Sequence, residues 1–429
     1  METIGRRSGA LRQLTLLLLF MHIVTRQSAD PPLRRASVLQ TVTLGHGRFS
    51  ARDGAYFIIS GVSGQGTPAT YSLAAYQDLQ VICAPETFTE AVISNTVISG
   101  TLTIASDAPD APCKISVTAS TVQIIYILRT KPSTSLRVNV SGSIIHLLSI
   151  PAHATFAAAT TIGIPTEVRL SVFGGTLASL YVDAASLERV VVDLDEVTSV
   201  SNAQFSTVLR KQSQIRVRNS RMTAACACYS WTFNALTEGS QLLIVNSTLF
   251  AAGQGGCALM SFSGSIQDGS SIVIDTSYLD VATRYNTATL FSMQGSILRG
   301  SMISVLRSTL SSRAYEARPD TEEACTFCGS GQFSGSKLTV DGSTISSSPP
   351  HYDRSGAFQF PTVLDGSEWR VSATVFTARS MAINGRIRAS NVTFSDGTTL
   401  TEFNVNTVDV DVVLHVDDAS DVNTTNALT

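Results

Sequence analysis

The chain has 429 residues, a net charge of −3, 44% hydrophobic and only 15% charged residues, and a mean hydropathy of +0.19. So small a charged fraction, against roughly 25% in an average soluble domain, excludes a helical protein laced with ion pairs, and the apolar content excludes intrinsic disorder. The mildly acidic balance leaves no electrostatic footprint for a phosphate backbone, so no nucleic acid partner is expected.

Residues 1–29 carry Arg6, Arg7 and Arg12, an apolar run from Leu14 to Val24, and then Thr25, Arg26, Gln27, Ser28 and Ala29. A basic flank and an apolar run shorter than the ~20 residues of a membrane span read as a secretory signal peptide. The expected location is therefore secreted or at the cell surface, with no transmembrane span after signal removal. Asn139, Asn246, Asn391 and Asn423 head Asn-x-Ser/Thr sequons and are the expected glycan acceptors, on exposed turns.

Residues 30–110 are less regular and are expected to form an N-terminal cap and first strands, with Leu79, Val81 and Ile82 and then Leu102 and Ile104 as strand residues. From 111 to 416 one pattern recurs, Gly-Ser-x-Φ-x-Val-x-x-Ser-x-Φ, where Φ is a large apolar residue. Its first Φ falls at Ile115, Ile215, Leu242, Ile272, Ile303, Leu338, Trp369 and Ile387, with weaker copies at Leu136, Val168, Val190 and Val408. Five residues on stand Ser120, Ser220, Ser247, Ser277, Ser308 and Ser343, and seven on come Val122, Met222, Leu249, Leu279, Leu310, Ile345, Phe376 and Phe394.

Φ and Φ+2 share one strand face, whereas Φ+5 and Φ+7 have the opposite parity, so the chain must turn a corner near Φ+3 and Φ+4 for both halves to face inward. The serine then opens the second strand, and stacked copies form a serine ladder. One unit cannot bury its own apolar face, so units must stack. The expected fold is all-β, a right-handed parallel β-helix (β-solenoid) of roughly 10–12 irregular coils. A leucine-rich repeat fits less well, because glycine (Gly239, Gly269, Gly300, Gly335, Gly366) stands where that repeat has its leading leucine. Thr407 to Leu414 still alternates as a strand, and 417–429 reads as a polar C-terminal tail.

The Gly-Ser-x-Φ-x-Val-x-x-Ser-x-Φ units from Ile115 to Phe394, with the signal segment and cysteine-bearing loops, resemble the trypanosomatid dispersed gene family surface proteins, whose repeats are pectin-lyase-like. The resemblance implies a glycosylated surface protein with an adhesive role.

Pectin-degrading enzymes suggest the chemistry to look for. Gly45-His46-Gly47 and Arg386-Ile387-Arg388 match two polygalacturonase signatures superficially, but about 340 residues of stacked coil at about 4.8 Å per strand hold them apart. Asp193, Asp195 and Glu196 form the best acidic cluster, and Arg216 and Arg218 fall one coil later, as a lyase with calcium and an arginine base would require. A solvated strand face is the plainer reading, so no catalytic residue and no cofactor are assigned. Asp409, Asp411, Asp417, Asp418 and Asp421 lack the spacing of a calcium-binding roll. The histidines His22, His46, His146, His153, His351 and His415 show no metal spacing.

Seven cysteines, Cys83, Cys113, Cys226, Cys228, Cys257, Cys325 and Cys328, are disulfide candidates rather than metal ligands. Those from Cys226 to Cys328 are expected to tie irregular loops together on one side, and Cys83 to pair with Cys113. The sequence as a whole points to a non-enzymatic scaffold for adhesion to cell-surface or matrix glycans or proteins. The alternatives are a polysaccharide lyase or glycoside hydrolase of the pectin-lyase-like type, or an inactive fragment of a larger surface protein.

Overall fold

Short segments that alternate apolar and polar residues, each broken by Gly, Asn or Asp, bury their apolar faces only by stacking on one another. In the computed structural model they do so. Every pairing between strands is parallel, and the described residues contain strands, turns and bends but no helix. The parallel β-helix expected from the repeat is the fold. The structure describes residues 40–425 apart from 43–56, 61–68, 73–78, 84–90, 107–112, 130–135, 151–166, 183–188, 199–201, 207, 226–228, 285–286, 316–323, 349–354, 361–362, 378–379 and 409–410. The signal-like segment falls outside them.

The repeat column is literal. Ile215, Leu242, Ile272, Ile303, Leu338 and Trp369 lie directly above one another. Two assignments shift. The residue stacked on Trp369 is Val392, and Phe394 continues the Val371 column. Ile387 and Val408 belong to a different stack, on Leu364. The sequence offers two apolar residues a few positions apart, and only the register says which one follows Trp369. Toward the N-terminus the column runs through Val192, Leu170, Val138 and Ile115, so Leu136, Val168 and Val190 sit two residues ahead of it. At period two, a shift of two residues keeps the same face, which is why those positions also read as copies.

The corner between the two half-units is made by one residue per coil in the left-handed region. These include Ala119 (φ 46°), Asn219 (φ 49°), Asn246 (φ 46°), Thr276 (φ 48°), Arg307 (φ 47°) and Gly342 (φ 54°). Each stands immediately before its ladder serine. A left-handed residue turns the chain sharply enough to switch parity, which is costly for Thr276 and Arg307, so local bonds must hold it. The serine ladder supplies them. Ser277 Oγ donates to the Asp275 carbonyl (2.7 Å) and accepts from the Ser247 amide (3.1 Å), while the Ser277 amide donates to Ser308 Oγ (3.0 Å).

The glycine-serine turns build a second ladder, in which the amides of Ser240 and Ser336 donate to Ser270 and Ser367 Oγ. Replacing Ser277 by alanine leaves the buried Ser247 amide without its acceptor and is expected to cost about 1–3 kcal/mol, read as a lower urea midpoint. Ser277→Thr is expected to stay near wild type, because Thr374 already makes the same closing bond to the Ser372 carbonyl (2.7 Å). Equal losses in the two variants would show that the hydroxyl is not what matters.

The core is one continuous cluster from Ile93 to Val405. It is aliphatic in the early coils and aromatic later, where Phe205, Phe233 and Phe262 stack with centroids 4.9 and 4.8 Å apart, the spacing of the strands themselves. Leu79–Cys83 and Val97–Ser106 are strands, as Leu79 and Leu102 suggest, and they pair directly into the coils that follow. The alternation from Thr407 to Leu414 is split between Thr399–Val408 and Val413–Val416, with Asp411 (φ 62°) turning the chain between them. The polar tail contributes another rung, Asp421–Thr425, because Val422 packs against the core.

Candidate functional site

Asp193 and Asp195 lie on the strand Arg189–Asp195, and register sets them directly against Arg216 and Arg218 of Gln214–Arg218. Alternation turns all four side chains away from the core. Asp193 Oδ1 lies 3.6 Å from Arg216 Nη1 and 3.8 Å from Arg218 Nη2, and Asp195 Oδ2 lies 3.3 Å from Arg218 Nη2. Asn219 Nδ2 donates to Asp195 Oδ1 and Asn246 Nδ2 to Asn219 Oδ1, both at 2.8 Å, which extends the group into a ladder across three coils. Glu196 is separated from the pair. It occupies the left-handed corner (φ 55°) and is exposed.

The remaining candidates are dispersed. His146 and His415 are exposed on strands, while His22, His46, His153 and His351 lie outside the described residues. Arg388 binds Asp365 through two hydrogen bonds of 3.0 and 2.8 Å. Asp417 accepts from Ser420 Oγ and the Asp396 amide, closing a turn, and Asp409 lies outside the described residues. Among the described residues no group of three His, Cys, Asp or Glu side chains could hold a metal ion.

Of the sequons, Asn246 and Asn391 are exposed. Asn139 is half-buried in mid-strand, not on a turn, and the side chain of Asn423 lies outside the described residues. The cysteine expectation needs correcting. Cys325 bonds to Cys328 within the single strand Ala324–Gly329, with Cα atoms 5.9 Å apart, so this disulfide ties no loops together. Cys257 is disulfide-bonded too, from the strand Cys257–Phe262 and not from a loop. The side chains of Cys83 and Cys113, and all of Cys226 and Cys228, lie outside the described residues.

A second cluster escaped the sequence reading. Tyr278 and Asp280 on Tyr278–Thr283 face outward beside Arg313 of Thr309–Ala314, and Tyr315 follows that strand. Asp280 is 1% exposed although it points away from the core. Arg313 Nε donates to its Oδ1 (3.1 Å) and an Arg313 terminal nitrogen to its Oδ2, and the Tyr278 hydroxyl also donates to Oδ2 (3.3 Å). Burial and then the Asp280 charge raise the Tyr278 phenol above its ordinary value, so it remains a donor at neutral pH. Burial works against the Arg313 charge, but its bond to Asp280 outweighs this and holds the guanidinium above its ordinary value. The one available signal was the alternation Tyr278, Asp280 within a repeat, which gives no hint that Arg313 closes over it 33 residues later.

Elsewhere the outer faces carry exposed ion pairs between coils. A hydrogen bond from Arg307 holds the Asp275 carboxyl below its usual range, one from Arg388 does so for Asp365, and one from Lys337 for Glu368. Folded values below the unfolded ones give stabilisation that is complete above about pH 5 and lost as pH falls through the folded values. Melting temperature is therefore expected to hold from about pH 7 to about pH 5 and to fall below about pH 4, modestly, since exposed pairs contribute little. A flat melting profile down to about pH 3 would count against these pairs. Comparison of the chain with protein-family models, with curated proteins and with solved structures finds no match.

Proposed function

We propose that this chain is a secreted or surface-displayed β-solenoid whose outer strand faces bind glycans or proteins, with binding and not catalysis as its role. Compartment rests on the basic and apolar segment before Ala29 and on the sequons. The binding reading is carried by one observation, the internal pairing of the best carboxylate cluster. Asp193 and Asp195 are matched by Arg216 and Arg218 from the next coil and prolonged by Asn219 and Asn246, so the acids a hydrolase would use are engaged in holding coils together.

The same convergence of two acids and two arginines on one face favours a second reading, a lyase acting on uronate polymers. Chain produced in a secretory host and supplied with pectin, alginate or hyaluronan and calcium separates the two. The binding reading expects retention on one or more immobilised glycans or cell-surface extracts without formation of unsaturated product. Turnover that disappears in Asp193→Ala or Asp195→Ala would overturn it.

A further inference from the structure

Four strands, Thr248–Gly253, Tyr278–Thr283, Thr309–Ala314 and Thr344–Ser348, stack in register and turn alternate residues outward. On this face Phe250 pairs with Asp280, and the Tyr278, Asp280, Arg313 and Tyr315 cluster lies beside it. Tyr278 is 41% and Tyr315 58% exposed, whereas the acid between them is fully covered. The Arg313 guanidinium sits 5.8 Å from the Tyr315 ring centroid, which orients it over an aromatic face.

Asp280 is buried while the Arg313 side chain is 37% exposed, so the pair sets a covered acid beneath a guanidinium that still reaches solvent. What it provides is a fixed array. Two aromatic surfaces flank a carboxylate and a guanidinium whose positions are locked, and Arg313 Nη1 makes no hydrogen bond within the described residues.

We infer that this face is a binding site for a neutral pyranose ring of a glycan, held by Tyr278 and Tyr315 and hydrogen-bonded to Arg313, which the buried Asp280 beneath it holds in place. This deepens the binding reading above and rests on it. The chemistry selects the class of ligand. A pyranose offers an apolar C–H face for an aromatic ring and adjacent hydroxyls that accept from a guanidinium. Asp280 and Arg313 cancel in charge, so neither a polyanion nor a polycation is drawn in. An extended peptide would seek an open strand edge, and the central strands Tyr278–Thr283 and Thr309–Ala314 are paired on both sides.

The test uses the purified full chain and three neutral probes, galactomannan, xyloglucan and chitotetraose, with polygalacturonate as the charged comparator. Binding is measured by affinity electrophoresis and calorimetry. The wild type is expected to bind at least one neutral probe with an affinity unchanged between about 0.05 and about 0.5 M salt. Tyr315→Ala and Tyr278→Ala are expected to weaken that binding about tenfold or more, and Tyr315→Phe, which keeps the ring, to stay within about threefold. Tyr315 is exposed, so circular dichroism and melting of Tyr315→Ala should match the wild type, whereas Tyr278→Ala also removes a donor to the buried Asp280 and is expected to melt somewhat lower with an unchanged spectrum.

Binding of a neutral probe that survives both alanine variants would overturn the site while leaving the scaffold reading standing. Binding of polygalacturonate alone would overturn the neutral-sugar assignment in the same way. Failure to bind any of the four probes would overturn the site, and retention on cell-surface proteins would then decide whether the scaffold reading survives.

Discussion

Phe327→Ala is expected to destabilise the protein by about 3–5 kcal/mol, the cost of an aromatic-sized cavity in a packed core. Phe327 is fully buried, and its ring lies on that of Phe291 with centroids 4.4 Å apart and planes 2° from parallel. Phe358 stands opposite it in the register of the next coil, and Phe291 loses the ring stacked on it. In a stack where each coil touches only those beside it, the damage should remain local. Hydrogen exchange should accelerate first in Ala288–Met293 and Ser355–Phe360 and least in Gln214–Arg218. Equal acceleration across all three would show that the stack unfolds as one unit.

Gly295→Ala is expected to cost about 3 kcal/mol or to block assembly of the coils around it. Three glycines lie one above another at a turn. A Cβ on Gly295 would come 2.2 Å from the Gly264 carbonyl carbon, and one on Gly331 would come 2.5 Å from the Gly295 carbonyl oxygen. Both contacts are with backbone, which cannot rotate aside as a side chain can. Gly269, whose added Cβ meets nothing within 4 Å, gives a comparison in which only its left-handed conformation (φ 73°) is at stake. Gly269→Ala should therefore lose about 1–2 kcal/mol, less than Gly295→Ala, in parallel chemical denaturation. A larger loss at Gly269 would contradict the close-approach account.

How much of this was open to a reader of the sequence depends on the range of the interaction. The corner at Φ+4 and the serine beyond it were legible because parity along one strand is a local property, and a switch of parity requires a bend. The pairing of Asp193 and Asp195 with Arg216 and Arg218 was legible too, since both segments carry the repeat and alignment of repeats approximates the register. At Ile387 and Phe394 the same method failed. The coil there is 23 residues long against 31 for the one before it, and a strand from the other side of the coil supplies a competing apolar alternation.

The tyrosine cluster was illegible for a different reason. Asp280 is unremarkable in sequence, and its burial depends on Arg313, which stands two residues beyond its register partner Ser311 and reaches back across the strands, a side-chain orientation that the repeat does not encode. The cysteines went astray likewise. A Cys-x-x-Cys spacing spans too far to close in a straight strand, but Ala324–Gly329 is irregular. Cys325 pairs with Thr289 and Phe327 with Phe291, whereas no partner falls to Thr326, and the bend brings the two sulfurs together.

Taken by itself, the sequence determined the class of fold, the inward face of most strands, the place of the corner and the serine ladder, because each follows from period-two alternation and the need of every coil to bury its face on another. Only the tertiary structure decided which outward side chains meet across coils away from the register, by reaching diagonally to a neighbour. There no core demands a particular neighbour, and the direction each long side chain takes brings Tyr278, Asp280 and Arg313 together across a register the repeat already sets.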